Sequence, residues 1–123
     1  MPAGVLSAEE LAALPFRIDL PQGVLLAETR SAPGAGTWTL RKGPVTLAMI
    51  YAGPQSQFPI FDGDQVTVAG RTSVVVTEGT RRIAMEHLFQ QAKEPAEIHI
   101  WVMAASGNDR DLAERIAQTV DPR

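Results

Sequence analysis

The chain has 123 residues, 45% of them hydrophobic and 20% charged, so it is long and apolar enough to fold around one core without metal or disulfide support. Its formal net charge is −3, with 11 basic side chains scattered among 14 acidic ones, which excludes a basic stripe for nucleic acid. The absence of cysteine excludes disulfides, cysteine-ligated metals and thiol nucleophiles.

No apolar stretch approaches the ~20 residues that a membrane-spanning helix needs, so we expect no membrane insertion by this chain. The N-terminal residues also lack the basic and apolar regions of a signal peptide. We therefore expect a cytoplasmic protein if these residues are the complete chain. If they belong to a longer, anchored protein, we expect an extracytoplasmic one.

The N-terminal segment predicts a short helix followed by a strand. Ser7 and Glu10 have the spacing of a capping box, in which each side chain binds the backbone amide of the other residue. The helix is expected at residues 8–14 and is stopped by Pro15, because a proline disfavours helical backbone at the residue before it. Alternation of apolar and polar residues then predicts a first strand through Phe16, Ile18 and Leu20.

The central part of the sequence, residues 16–105, consists of short extended runs joined by connections of hairpin length. Gly70-Arg71 is a two-residue connection with glycine first, which predicts a type II′ turn. Residues 31–36 are expected as a loose connection, and residues 53–65 as the longest loop. The predicted strands after the first are residues 24–30, 37–41, 45–52, 66–69, 72–77, 82–89 and 98–104.

The C-terminal segment, residues 106–123, has the pattern of an amphipathic helix. Residues 106–109 supply capping side chains. Apolar residues then recur at helical spacing, at Leu112, Ala113, Ile116, Ala117 and Val120. No alternation of strand and helix appears in between, so the sequence predicts a single α+β domain. Its single antiparallel sheet has about six or seven strands, with a short N-terminal helix in residues 1–15 and the C-terminal helix packed on it.

No motif in the sequence points to catalysis, a cofactor or a metal. Gly34-Ala35-Gly36 precedes a strand, whereas a phosphate-binding glycine loop must open a helix. Asp62-Gly63-Asp64 lacks the later acidic positions of a calcium loop. No serine stands in a nucleophile elbow. We therefore expect no catalytic residue, no cofactor and no metal ligand.

The two histidines lie in neighbouring predicted strands, and the strand register decides whether they meet. In an even register His87 faces His99, and Glu97 completes a metal or acid/base site. In an odd register Glu86, His99 and Trp101 share one face. We favour the odd register, because it collects the apolar residues on the other face. These are Ile83, Met85, Phe89, Ile98, Ile100 and Val102.

The odd register suggests a recognition patch on the sheet. His87 then becomes a hydrogen-bonded core or edge residue, while His99, Glu86 and Trp101 form a shallow patch of an aromatic beside polar groups. Phe58, in the long loop, is a further candidate contact. In the alternative interpretation, Trp101 is covered by a loop or by the N-terminal helix and binds nothing.

Four segments together resemble a known layout. They are Leu20-Pro21-Gln22-Gly23, Trp38-Thr39-Leu40, Val66-Thr67-Val68-Ala69-Gly70-Arg71 and Ile98-His99-Ile100-Trp101, followed by a helix. The order resembles uncharacterised bacterial domains of anti-sigma-factor-like and other membrane-anchored proteins outside the cytoplasm. It is also similar to the small photosystem-accessory and nuclear-import-factor-like fold. The resemblance implies a non-enzymatic sensor or binding module and supplies no catalytic residues.

Three hypotheses about function follow. The favoured one is a non-enzymatic binding or sensory module whose sheet face or long loop contacts an unidentified protein or small-molecule ligand. The second is a small metal-dependent or acid/base hydrolase that uses His87 and His99. The third is a self-associating interaction domain, a homodimer formed through an unpaired strand edge.

Overall fold

The structure is a computed structural model that describes residues 5–32, 34–104 and 107–123. It confirms the predicted α+β class, with a short helix near the N-terminus and a longer one near the C-terminus. The elements in chain order are α1 (Ala8–Ala12), β1 (Phe16–Arg17), β2 (Leu25–Ala32), β3 (Ala35–Lys42), β4 (Val45–Gly53), β5 (Asp64–Val68), β6 (Arg71–Glu78), β7 (Arg81–Gln90), β8 (Glu97–Val102), α2 (Gly107–Ala117) and β9 (Asp121–Pro122).

One antiparallel sheet of seven strands forms the body of the domain, in the order β2-β3-β4-β8-β7-β6-β5. Two meanders, β2 to β4 and β5 to β8, meet where β8 pairs with β4. Helix α2 packs on β4, β8 and β7 and buries Ala113, Ile116 and Ala117 there. The helix therefore covers the middle of one face of the sheet.

The core lies between α2 and this helix-covered face. Cross-strand pairs of β4 and β8 place Ile50 beside Ile100 and Ala52 beside Ile98, and all four side chains are buried. Burial of such aliphatic side chains contributes about 1.5–3 kcal/mol for each large one. The residues that the odd register assigns to this face, Ile83, Met85, Phe89, Ile98, Ile100 and Val102, all belong to the core. The predicted face is wrong for Ile83: it pairs with Val76, and alternation along β6 places Val76 on the same face as Val74 and its partner Glu86.

The capping box at the start of α1 is confirmed. The amide of Ser7 donates to Glu10 Oε1 at 3.1 Å, and the amide of Glu10 donates to Ser7 Oγ at 3.2 Å. The helix ends at Ala12, two residues earlier than the sequence predicts.

The predicted first strand is wrong in extent and in partner. Only β1 is extended, and it pairs with β9 in a separate two-stranded sheet. Phe16 is fully buried, with its ring edge-on to Trp38 at 5.2 Å between centroids. Ile18 and Leu20 also pack partly buried against the core, so the alternation reflects core contacts rather than pairing in the main sheet. The predicted helix over 106–123 is also shorter than expected: α2 ends at Ala117, and Asp121 and Pro122 form β9, which pairs with β1. Ser106 lies outside the described residues.

The predicted hairpin between β5 and β6 is present, but its turn is one residue earlier than expected. Val68 pairs with Arg71, which leaves Ala69 and Gly70 as the turn residues. Both have positive φ, 52° and 82°, as a type I′ turn requires and a type II′ turn does not. The segment predicted as a loose connection at 31–36 is also tighter, because residues 31–32 and 35–36 belong to β2 and β3, while Pro33 lies outside the described residues.

The odd register between β7 and β8 is confirmed. His87 pairs with Ile100, and Leu88 pairs with His99. Side chains alternate across a strand, so these two pairs lie on opposite faces of the sheet. The face opposite α2 therefore receives Glu86, His99 and Trp101.

Candidate functional site: a loop anchored on a buried carboxylate

Residues 54–63, which join β4 to β5, cross the sheet on the face opposite α2; we call them the covering loop. Phe58 places its ring edge-on to His99 at 5.4 Å between centroids. The amides of Ile60 and Phe61 both point at the carboxylate of Glu86. The covering loop thus lies directly over β7 and β8.

Glu86 and His99 form a hydrogen bond that is closed to solvent, with both side chains 0% exposed. His99 Nε2 lies 2.7 Å from Glu86 Oε1. The carboxylate also accepts from the amide of Ile60 at 3.0 Å and from that of Phe61 at 2.5 Å. An unpaired buried charge is costly, so these donors are what makes a carboxylate tolerable in this position.

The net electrostatic balance keeps Glu86 ionised. Burial raises the pKa of its carboxyl, but the hydrogen bonds from His99, Phe61 and Ile60 together outweigh burial and hold the pKa below its ordinary value. A carboxylate only accepts hydrogen bonds, so His99 Nε2 is the donor in the pair. Its other ring nitrogen, Nδ1, is buried and has no hydrogen-bond partner among the described residues.

All four residues predicted as contacts come together here. Glu86 pairs with Trp101 across β7 and β8, the rings of His99 and Trp101 lie 4.7 Å apart, and Phe58 completes the cluster. The cluster is covered by a loop, not by α1. Glu86 and His99 are closed to solvent, whereas Phe58 and Trp101 are half-buried. A ligand contact through any of the four stays a prediction.

His87 lies on the helix-covered face and does not meet His99. Its Nδ1 is 2.6 Å from Ser73 Oγ, and both side chains are buried. Burial, and next the positive charge of Arg71, lowers the pKa of His87 to about 4, so the ring is neutral near pH 7. The structure therefore does not bring the two histidines into one metal or acid/base site. Among residues 5–32, 34–104 and 107–123, no group of three or more histidine and carboxylate side chains is placed to hold a metal ion.

Ser73 is a partner that the sequence analysis missed. The β6–β7 hairpin closes on the pair Glu78 and Arg81, and a regular ladder from there would set Ser73 opposite Glu86. An extra residue in β7, at the level of Val74 and Val75, shifts the pairing so that Ser73 meets His87 instead. Burial of both side chains closes this serine-histidine pair to any substrate.

A second carboxylate anchors the start of the covering loop. Glu97 Oε1 accepts from the amide of Ser56 at 2.7 Å, and its Oε2 accepts from Gln90 Nε2 at 2.9 Å. The bond from Ser56 is the first cause of a lowered pKa for Glu97. The amide of Gln55 donates to the hydroxyl of Tyr51 at 3.3 Å. The loop is therefore tied to the sheet at several points along its length.

A polar groove of about 350 Å³ lies between the covering loop and strands β5 to β8. Its walls present amides and hydroxyls, with one carboxylate and one aromatic ring. Thr67 and Thr72 already share a hydrogen bond across the strands, at 2.8 Å between hydroxyl oxygens. The lining residues are Gln55, Ser56, Phe58, Gln65, Thr67, Thr72, Leu88, Gln90 and Glu97.

A larger recess of about 570 Å³ lies at the other end of the sheet, against β2 and β3. Its lining combines apolar residues such as Leu25 with the charged Glu28 and Arg41. Among the residues that the structure describes, no loop anchored by carboxylates contributes to its lining. Polar groups that converge on a fixed geometry are the better indicator of a binding site, so the groove beside the covering loop is the stronger candidate.

Comparison with known proteins gives no relative of this chain: no family, no curated protein and no solved structure matches it. Within the part of the chain that the structure describes, no helix has the length and apolar character to cross a membrane. What is established is thus the fold and the geometry of this site.

Proposed function

We propose that the chain is a non-enzymatic binding module, and that the covering loop and the polar groove beside it form the contact surface. One observation supports this above all: a loop held from beneath by two carboxylates, Glu86 and Glu97, keeps its outer residues exposed. Gln55, Gln57 and Ile60 face solvent on the loop. A surface fixed before binding loses less conformational entropy when it binds, which favours recognition.

The chemistry of the groove favours a neutral, polar ligand. Glutamine amides and threonine hydroxyls both donate and accept hydrogen bonds, and Phe58 offers an apolar wall. Glu97, the one charged group in the lining, already accepts bonds from Ser56 and Gln90. A hydroxyl-rich small molecule or a short uncharged peptide fits this set of groups.

A sensory role in a membrane-anchored protein outside the cytoplasm is the wider setting that the sequence resemblance implies. It is part of the same proposal. A sensor domain needs a site where its signal binds, and the anchored loop supports the sensory role by offering such a contact surface.

The test is a titration of the isotopically labelled chain, followed by amide NMR shifts. The probes are a set of oligosaccharides and a set of short uncharged peptides. We expect shifts confined to residues 55–60 and to Gln65, Thr67 and Gln90. The double variant Gln55→Ala with Gln90→Ala should weaken binding about tenfold, since each lost hydrogen bond contributes about 0.5–1.5 kcal/mol.

Two exposed glutamines outside the groove provide the matched control. Gln22→Ala and Gln118→Ala remove the same group from other parts of the surface and should leave binding unchanged. Shifts that map to the helix-covered face, or equal weakening by the control pair, would show that the groove is not the contact surface.

A further inference from the structure

The two edges of the sheet differ in how they are protected. At the β2 edge the N-terminal segment adds a bridge between Val5 and Ala27, and the amide of Leu6 donates to the carbonyl of Leu26 at 3.0 Å. At the β5 edge, within the described residues, the strand pairs on one side only, with β6. An open edge presents free backbone donors and acceptors to another strand.

Strand β5 also lacks the usual features that prevent edge pairing. All five of its residues are exposed, with Val66 at 45% and Val68 at 64%. It contains no lysine, no proline and no irregularity in its pairing with β6. From Gln65 to Val68 it carries no charge. Such a strand is a template for a further strand.

The turn fixes which backbone groups face outward. A two-residue hairpin closes on a pair that exchanges backbone hydrogen bonds, and here that pair is Val68 and Arg71. Bonded and non-bonded pairs alternate along the strand, so the outward amides and carbonyls of β5 belong to Gln65 and Thr67.

We propose that the β5 edge binds β5 of a second copy of this chain in an antiparallel, two-fold symmetric pairing centred on Val66. Gln65 of each copy then lies opposite Thr67 of the other, and the outward groups of both residues are satisfied in both chains. Val66 faces its own counterpart in the pair where side chains approach most closely. The two seven-stranded sheets become one continuous sheet.

Charge favours a second copy as the occupant of this edge. In the register centred on Val66, Asp64 lies opposite Val68 of the second copy, so the two Asp64 carboxylates stay apart. Arg71 is the neighbour of Val68 on β6. Asp64 already forms a salt bridge with Arg82 of its own chain, at 3.1 Å. Each end of the pairing therefore brings this Asp64–Arg82 pair of one copy towards Arg71 of the other and sets no two carboxylates face to face, a self-complementary arrangement that two-fold symmetry requires.

The interface is small, so the dimer should be weak and should depend on concentration. Sedimentation velocity from about 10 µM to 1 mM covers the affinities expected of such a contact. We expect the wild-type chain to shift from monomer towards dimer over this range. Val66→Lys sets two like charges face to face and should weaken the dimer at least tenfold.

Leu25→Lys is the matched control, because Leu25 is an equally exposed apolar residue, at 49%, on the opposite edge of the sheet. It should dimerise as the wild type does. Val68→Asp, which sets a carboxylate opposite Asp64 of the second copy, is the second test variant if Val66→Lys fails to fold, as checked by circular dichroism. A wild-type chain that stays monomeric at 1 mM, equal dimerisation of the β5 variants, or loss of the dimer in Leu25→Lys would overturn the proposal.

The result is separable from the proposed function. Groove binding is measured on monomeric variants by the same NMR titration, so a chain that binds in the groove without dimerising, or dimerises without binding, distinguishes the two proposals.

Discussion

His87 and His99 lie on neighbouring strands, yet the two faces of the sheet bury them in different ways. On the helix-covered face His87 meets the hydroxyl of Ser73, and its low pKa keeps the pair uncharged. On the loop-covered face His99 meets the carboxylate of Glu86. An uncharged pair needs only its own hydrogen bond, whereas a buried carboxylate needs further donors, and the covering loop supplies them as backbone amides. The covering loop therefore lies where its backbone amides reach the polar group of the second face.

The strongest test of this difference is Glu86→Ala. The change leaves His99 and the amides of Ile60 and Phe61 without their acceptor in a buried site. We expect the free energy of unfolding to fall by about 3–5 kcal/mol, as when one partner of a buried pair is removed. Glu86→Gln should cost less, about 1–2 kcal/mol, because one acceptor oxygen remains.

Urea denaturation measures both changes. Glu28→Ala serves as the control, since Glu28 is exposed and a substitution there should change stability by less than about 0.5 kcal/mol. If Glu86→Ala cost no more than this control, the covering loop would not depend on the carboxylate.

On the helix-covered face, His87 should make the free energy of unfolding depend on pH. The pKa of His87 lies at about 4 in the folded chain, below its ordinary value of 6.5, so the unfolded chain binds the extra proton first as the pH falls. Stability from this group is complete above pH 6.5 and is lost progressively towards pH 4. The difference between the two pKa values of His87 corresponds to a change of about 3 kcal/mol in the free energy of unfolding.

His87→Gln should flatten this dependence between about pH 6.5 and 4.5, since glutamine does not titrate and its amide can bond Ser73. Ser73→Ala, which keeps the histidine, should retain the slope. The lowered pKa of Glu86 also makes the chain less stable as the pH falls. Its stabilisation is lost only below the ordinary carboxyl pKa of 4.5, as the carboxylate takes up a proton, so it does not contribute to the slope at higher pH. A slope that persists in His87→Gln above pH 4.5 would contradict the assignment.

The smallest effect is expected at the outer anchor of the covering loop. Glu97 is only partly buried, and Glu97→Ala removes its bonds to Ser56 and Gln90. We expect a loss of about 1 kcal/mol in a thermal or urea unfolding experiment, several times smaller than for Glu86→Ala. A loss as large as that of Glu86→Ala would mean that the difference in burial between Glu86 and Glu97 does not decide how much each carboxylate stabilises the fold.

Much of the helix-covered face follows from the sequence alone. The apolar residues of β7 and β8 select their register, because only an odd pairing collects Met85 and Phe89 on the same side as Ile98 and Ile100. The opposite placement of Glu86, His99 and Trp101 follows from that same choice. Periodicity is sufficient wherever one face must be apolar.

The pairing around Ser73 and the path of the covering loop could not be obtained in this way. One extra residue in β7 decides that Ser73 meets His87, and no periodic signal marks it. Ile60 and Phe61 are 26 and 25 residues from Glu86 in the sequence, and they act through backbone amides that any residue except proline possesses. The side-chain types in the sequence therefore do not indicate such a contact.

The anchored loop has a consequence for engineering this domain. Surface loops are the usual places to insert a foreign peptide or to open a chain for circular permutation. Here the longest loop is a poor choice, because an insertion between Ser56 and Phe61 would separate amides that must reach fixed carboxylates. The short exposed turn at Gly79 and Thr80 is the better entry point, although it offers far fewer residues.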